Sequence, residues 1–309
     1  KRSKPRARQS PARREQGPVG EMAGSGLDFV SRIIFPAPRA SYGLESYPGE
    51  LLWLPAQGPQ DRPSADDVAE SADGHLGLWL PCPSARYVIY YLHSNGEDLG
   101  RCRQFLLNLR TQFQVHALAV EYPGYGACPG GQCDERLANG SAHAGLRFLR
   151  EVVRWPDDSI IVMGRSIGCG PACALASQHD LGGLVLIAPM LSFRELCKDY
   201  APSIAEHVEE RFPNGARLQK STTPLLVVHG AKDTVIPPRH GRALYELSAG
   251  RKLLVTPPEL GHNCDLFSDV QALIAPMLRF FAMPDYAFVD PVVPSWAFDL
   301  RSAGACAAS

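Results

Sequence analysis

The chain holds 309 residues, 45% hydrophobic and 20% charged, with a formal net charge of −1. That length and apolar share suffice for one large buried core, and the near-neutral balance excludes the basic footprint of a nucleic-acid partner. Nine cysteines without zinc-ribbon spacing (Cys82, Cys102, Cys128, Cys133, Cys169, Cys173, Cys197, Cys264 and Cys306) argue against a disulfide scaffold and read as reduced thiols of a cytoplasmic protein.

Residues 1–26 form a basic tail (Lys1, Arg2, Lys4, Arg6, Arg8, Arg13, Arg14) with little to bury, expected to be disordered and solvated. A single domain is expected over 27–284. It opens with the apolar run Leu27–Phe35, stopped by Pro36 and Pro38, which reads as a short helix packing on the domain or lying on a membrane surface. No apolar run reaches the roughly 20 residues of a membrane span, and no secretory h-region is present. Leu51–Leu54 and Leu76–Leu80 read as an antiparallel ribbon around a Pro/Asp/Ser-rich loop. Strands then alternate with helices. A strand at Arg86–Leu92 precedes a helix at Leu99–Phe113, and a strand at Val115–Glu121 precedes a helix at Glu135–Val153. After a strand at Ser159–Met163 and a helix from Pro171, further strands fall at Gly183–Ile187, Leu225–Val228 and Lys252–Val255, with helices at Arg239–Leu247 and Val270–Phe281. This alternation predicts an α/β fold, a mostly parallel central sheet with helices on both faces. Ligands then bind at the carboxyl ends of the strands.

The loops at those ends carry the chemistry. Gly164-Arg165-Ser166-Ile167-Gly168 lies between a β-branched strand and a helix start, the context that makes a Gly-x-Ser-x-Gly a nucleophile elbow. The turn needs small neighbours, and the helix start points free N–H groups toward a developing oxyanion. His93-Ser94-Asn95-Gly96-Glu97-Asp98 follows the strand ending at Leu92 and offers further backbone donors. The main-chain N–H groups of Ile167 and Asn95 are the candidate oxyanion hole, with Ser94 or Gly96 as replacements for Asn95. Asp233, just past Leu225–Val228, stands where an acid can orient an imidazole, and His262, after Lys252–Val255, stands where a base belongs. Asp265 is a rival acid, while His93 and His229 read as supporting histidines.

These stretches, with Glu121-Tyr122-Pro123-Gly124-Tyr125-Gly126 and Gly261-His262-Asn263, resemble the α/β-hydrolase superfamily. Within it they are similar to the branch called α/β-hydrolase domain-containing protein seventeen, whose members remove palmitate from cysteine thioesters. The resemblance spans Phe35 to Phe281 and implies Ser166, Asp233 and His262 as the triad, in the superfamily's Ser–Asp–His order. Ser94 stands where Gly is usual and Glu121 where Asp is usual. The cysteine-rich anchor of the branch has no counterpart before Cys82.

Pro189–Pro224 is short and polar, with helical runs expected at Phe193–Tyr200 and Ile204–Arg211, so only a small cap covers the site. Met190, Leu191 and Phe193 are candidates to line an acyl groove. Residues 285–309 read as a Pro-rich tail over the domain. They end in Cys306-Ala307-Ala308-Ser309, which matches a prenylation signal and with the basic tail would give peripheral membrane association. The expected function is an ester or thioester hydrolase working through an acyl-Ser166 intermediate on an acylated protein or a small acyl ester, foremost a palmitoyl-protein thioesterase. It requires no metal or organic cofactor. The alternatives are a serine-aminopeptidase-like peptidase, a small-ester or acylglycerol esterase, and a non-catalytic binding protein on the same fold.

Overall fold

The computed structural model describes residues 31, 32, 34–55 and 74–300. The basic tail, Leu27–Val30, most of the loop after Pro55 and Cys306 lie outside them. Eight strands form one sheet: β1 (Leu51–Pro55), β2 (Gly74–Leu80), β3 (Val88–Leu92), β4 (His116–Val120), β5 (Ile160–Arg165), β6 (Gly183–Ile187), β7 (Leu225–Val228) and β8 (Lys252–Val255). Their order is β1-β2-β4-β3-β5-β6-β7-β8. β1 and β2 run antiparallel, and from β4 through β8 every pair is parallel.

Strand periodicity explains two separate cores. Ile89 and Tyr91 on β3, Ile161 and Met163 on β5, and Val185 and Ile187 on β6 face one layer. Their alternates Val88, Tyr90, Ile160, Val162, Leu184 and Leu186 face the other. Both faces are apolar because helices cover both. The helix α1 (Leu99–Phe113) closes the first layer with Leu99, Cys102, Leu106, Leu109 and Phe113, spaced three or four apart. The helices α2 (Glu135–Arg147) and α3 (Cys169–Ala176) close the second, and all eight residues of α3 are buried.

From β3 the chain moves to β4 on one side, then crosses back to β5 on the other. The carboxyl ends of β3 and β5 therefore flank the crevice where an open α/β sheet binds ligand.

Three elements differ from the sequence expectation by more than two residues at an end. The helix expected at Glu135–Val153 is α-helical only to Arg147 and widens into a π turn over Phe148–Val152, which lets consecutive Phe148 and Leu149 both be buried. The last helix is Ile274–Phe280 rather than Val270–Phe281, because Asp269 makes a turn: its carboxylate accepts the Gln271 N–H and its carbonyl the Ala272 N–H. In the cap, the helix α4 (Phe193–Tyr200) is followed by Pro202–Ala205 and Asn214–Leu218, so Ile204–Arg211 is not helical as a whole. Arg211 leaves the helical path to turn its carbonyl to the Phe193 N–H and its guanidinium to Ser31 Oγ, 3.1 Å away.

Beyond the last helix, Asp285 pairs with Arg86 at 2.7 Å, Tyr286 bridges to Ala85, and Ala297 is fully buried in the second core layer. Ser31, Arg32 and Ile34 are helical, and Ile34 and Phe35 are buried. No helix among the described residues is long and apolar enough to cross a membrane.

Candidate active site

Arg165 ends β5 in extended backbone, and the chain turns at Ser166, whose φ of 53° lies in the left-handed region. A non-glycine residue held there is strained, and such strain concentrates at functional sites. The surroundings over-determine it. A Cβ on Gly164 would lie 2.5 Å from the Gly168 carbonyl oxygen, and one on Gly168 would lie 2.1 Å from the Leu92 carbonyl oxygen. Both glycines are thus required by close backbone approach, and the second approach sets the elbow directly against the loop that leaves β3.

His262 Nε2 lies 3.0 Å from Ser166 Oγ, and His262 Nδ1 lies 2.8 Å from Asp233 Oδ2. A carboxylate only accepts, so Nδ1 carries the hydrogen there, leaving Nε2 with a lone pair for the Ser166 hydroxyl. The structure thus brings together three side chains that stand 96 and 29 residues apart in the chain. Asp233 is held on its other oxygen by the N–H groups of Val235 and Ile236, at 2.9 and 2.8 Å. His229 stands 3.3 Å from Asp233 and donates from Nε2 to the Ile236 carbonyl. Burial pushes the Asp233 carboxyl up, but these donors outweigh it and hold the group well below the usual carboxylate range. The acid and base loops are sewn together, Ala231 N–H to the Pro257 carbonyl and Lys232 N–H to that of Leu260. Asp265 does not join them: its carboxylate accepts the Phe267 N–H in an exposed turn.

His93 Nδ1 donates to the Ser94 carbonyl at 2.8 Å, and Nε2 lies 2.8 Å from Glu121 Oε1 with both side chains fully buried. Burial opposes charge on this imidazole, yet Glu121 outweighs it and raises its pKa. The other Glu121 oxygen accepts from Tyr42 and from the Leu99 N–H, both at 2.9 Å. Glu121 therefore anchors the 93–98 loop at both ends.

Of the three candidate amides in that loop, Ser94 is engaged, donating to Glu97 Oε2 at 3.1 Å. The N–H groups of Asn95 and Gly96 donate to no protein acceptor among the described residues. Two charged neighbours had no role in the sequence reading. Arg165 Nη1 lies 3.9 Å from Glu97, and Glu97 accepts from Ser94 and Tyr91. The Ser94–Glu97 spacing, a Ser-x-x-Glu, was the signal that could have found the carboxylate.

Ile167, the residue after Ser166, belongs to a third apolar cluster with Phe35, Tyr122, Tyr125, Met190 and Phe212 among its members. Met190 is buried core there, Phe193 packs on its edge, and Leu191 packs on the second core layer instead. The cap helix is tied down beside the acid loop, where the Tyr200 hydroxyl donates to the Thr234 carbonyl at 2.6 Å.

No family model matches the chain. Its sequence is similar to mouse α/β hydrolase domain-containing protein 17C, 31% identical over 176 residues, covering 56% of this chain and 54% of that protein. The human protein of the same name gives 31% over 176 residues and 53% of its length. The chain thus spans about half the length of the curated relatives it matches. Among solved structures, the Pyrococcus furiosus esterase Pf2001 superposes with a TM-score of 0.59 at 15% identity, covering 80% of this chain and 98% of that one. Est1E from Butyrivibrio proteoclasticus, bound to ferulic acid, gives 0.57 at 17%, covering 69% and 98%. The fold is that of the α/β hydrolases.

Proposed function

We propose that the chain is a serine hydrolase that cleaves an ester or thioester through an acyl-Ser166 intermediate. The observation that carries this is the unbroken hydrogen-bond chain Ser166–His262–Asp233, at 3.0 and 2.8 Å, on a serine with positive φ. Ser166 Oγ attacks the acyl carbon while His262 Nε2 takes its proton, and Asp233 holds the imidazole tautomer and stabilises the imidazolium. The Ile167 and Asn95 amides receive the oxyanion, each such donor typically contributing about 3 kcal/mol to the transition state. Collapse expels the leaving group with the His262 proton, and a water, activated by the same imidazole, frees the acid. Similarity to the seventeen branch and the small cap favour a long-chain thioester on a protein cysteine as substrate.

A fluorophosphonate probe tests the first level: wild type should label and Ser166→Ala should not. Labelling of the alanine variant would refute the nucleophile. The second level compares kcat/KM for a palmitoyl-cysteine peptide, a short p-nitrophenyl ester and a monoacylglycerol. If the palmitoyl peptide is the poorest of the three, the thioesterase reading fails and a general esterase replaces it.

A further inference from the structure

The geometry points to Glu97 as the positioning residue of the oxyanion hole, acting with Ser94 and Arg165 to hold the Asn95 amide against the nucleophile elbow. This deepens the acyl-serine reading and rests on it.

Glu97 sits at the far end of a four-residue turn. Its own N–H donates to the Ser94 carbonyl at 3.2 Å, while its Oε2 accepts the Ser94 N–H at 3.1 Å and the Ser94 hydroxyl at 2.9 Å. The closure is reciprocal, as in a capping box, although it fastens a turn before α1 rather than the first turn of a helix. α1 has its own N-cap, Asp98, which accepts the Arg101 N–H at 2.9 Å. The Glu97 carboxylate is therefore not needed to start the helix.

The closure consumes the Ser94 N–H and leaves those of the two interior residues, Asn95 and Gly96, without protein acceptors among the described residues. Free amides at the end of a strand, beside a strained serine, are what an oxyanion requires. Two further contacts aim the turn. Below it, the buried Tyr91 hydroxyl donates to the same Oε2 at 3.1 Å, from a residue of β3 itself. Burial first, and then the nearby Glu97 charge, push the Tyr91 pKa up, so the phenol stays a donor.

Beside the turn, Arg165 Nη1 approaches Glu97 Oε1 at 3.9 Å, and Arg165 Nη2 reaches the Cys264 carbonyl at 3.5 Å. Arg165 immediately precedes Ser166, and Cys264 follows His262 by two residues. One guanidinium thus spans the elbow, the oxyanion turn and the base loop. It also places a positive charge next to Glu97, offsetting a carboxylate that would otherwise repel a developing oxyanion. Ser94 fits the same arrangement, since a glycine there would lack the hydroxyl that Glu97 accepts.

The test uses the full chain as wild type, Glu97→Ala and Glu97→Gln, with steady-state turnover of a p-nitrophenyl ester, Ki for an alkylboronic acid and the melting temperature. Boronates form a tetrahedral adduct on the serine, so their affinity follows transition-state binding. Glu97→Ala should lower kcat by about tenfold or more and raise the boronate Ki by a similar factor, with KM changed by less than about twofold. Glu97→Gln keeps an acceptor for Ser94 and should recover more than half of that loss on a logarithmic scale. Unchanged kcat in Glu97→Ala overturns the proposal. So does a kcat loss with an unchanged boronate Ki, or a glutamine variant no better than alanine. If wild type fails to label with fluorophosphonate, the acyl-serine reading falls and this proposal with it. If wild type labels and turns over normally while Glu97→Ala matches it, this proposal alone falls.

Discussion

His262 and His93 each stand beside a carboxylate in two regions of one site, His262 hydrogen-bonded to it and His93 in close approach without a hydrogen bond. Each has a ring nitrogen 2.8 Å from a buried carboxylate, Asp233 for His262 and Glu121 for His93. What separates them is the other nitrogen. That of His262 faces the Ser166 hydroxyl, a group that can give up a proton. That of His93 donates to the Ser94 carbonyl, which cannot. Access differs too, since the His262 side chain is 10% exposed and that of His93 not at all. One imidazole is therefore arranged to pass a proton to and from a hydroxyl, and the other is not. A histidine–carboxylate pair does not define a base; the partner of the free nitrogen does.

The largest expected effect breaks the first pair. Asp233→Asn presents a donor as readily as an acceptor to His262, so the tautomer that leaves Nε2 free is no longer favoured. Turnover should fall by about 10⁴-fold with the fold intact. A loss below about tenfold in kcat would show that Asp233 does not orient the base.

Breaking the second pair should cost structure. Glu121→Gln removes the carboxylate charge that faces the buried His93 ring and raises its pKa, and weakens the anchoring of Tyr42 and the Leu99 N–H. Removing one partner of a buried pair costs about 3–5 kcal/mol, so the denaturant midpoint should drop clearly. A midpoint within error of wild type would show that His93 is neutral in the fold.

The two pairs also carry opposite pH signatures. The His93 pKa is raised in the folded state, so its stabilisation is fully present below the unfolded value near ~6.5 and is lost as pH rises through the folded value. The Asp233 pKa is depressed, so its stabilisation is present above the unfolded value near ~3.9 and is lost as pH falls through the folded one. Melting curves across pH should therefore show Glu121→Gln losing the alkaline-side slope and Asp233→Asn the acid-side slope. The opposite assignment of slopes would contradict both.

The first pair was legible in the sequence and the second only half so. The elbow, Asp233 and His262 lie at strand ends, and strand ends follow from period-two burial that local residues declare. Several strands and helices match to the residue, among them Gly183–Ile187, Leu225–Val228 and Arg239–Leu247. Glu121 was visible as an unusual residue, but its partner His93 lies 28 positions earlier and meets it only through the β3–β4 pairing. Arg165 and Glu97 were invisible as a pair for the same reason, since their contact depends on how two loops fold over parallel strands. Ile204–Arg211 misled because its helical composition competes with the tertiary demand that Arg211 turn inward to Ser31.

A third histidine sharpens the comparison with the smallest effect. His240 Nε2 donates to Asp199 Oδ2 at 2.7 Å, while its Nδ1 accepts the Leu191 N–H at 3.2 Å. A nitrogen that accepts cannot hold a proton, so this imidazole is neutral. Its pKa is lowered, first by burial and with help from the Arg239 charge, against the pull of Asp199. Asp199 lies on the cap helix and also receives Arg239, so this pair fastens the cap and faces no hydroxyl. Asp199→Asn keeps a carbonyl oxygen for His240 and loses only the charge facing a half-exposed arginine. The cost should be about 1 kcal/mol or less, with ester turnover within about twofold of wild type. Measured beside Asp233→Asn, the same Asp-to-Asn change would then differ by several orders of magnitude in activity between two histidine–aspartate contacts of 2.8 and 2.7 Å. If Asp199→Asn abolished turnover with its melting temperature unchanged, proximity of a carboxylate would be enough, and the rule that the free nitrogen decides would be wrong.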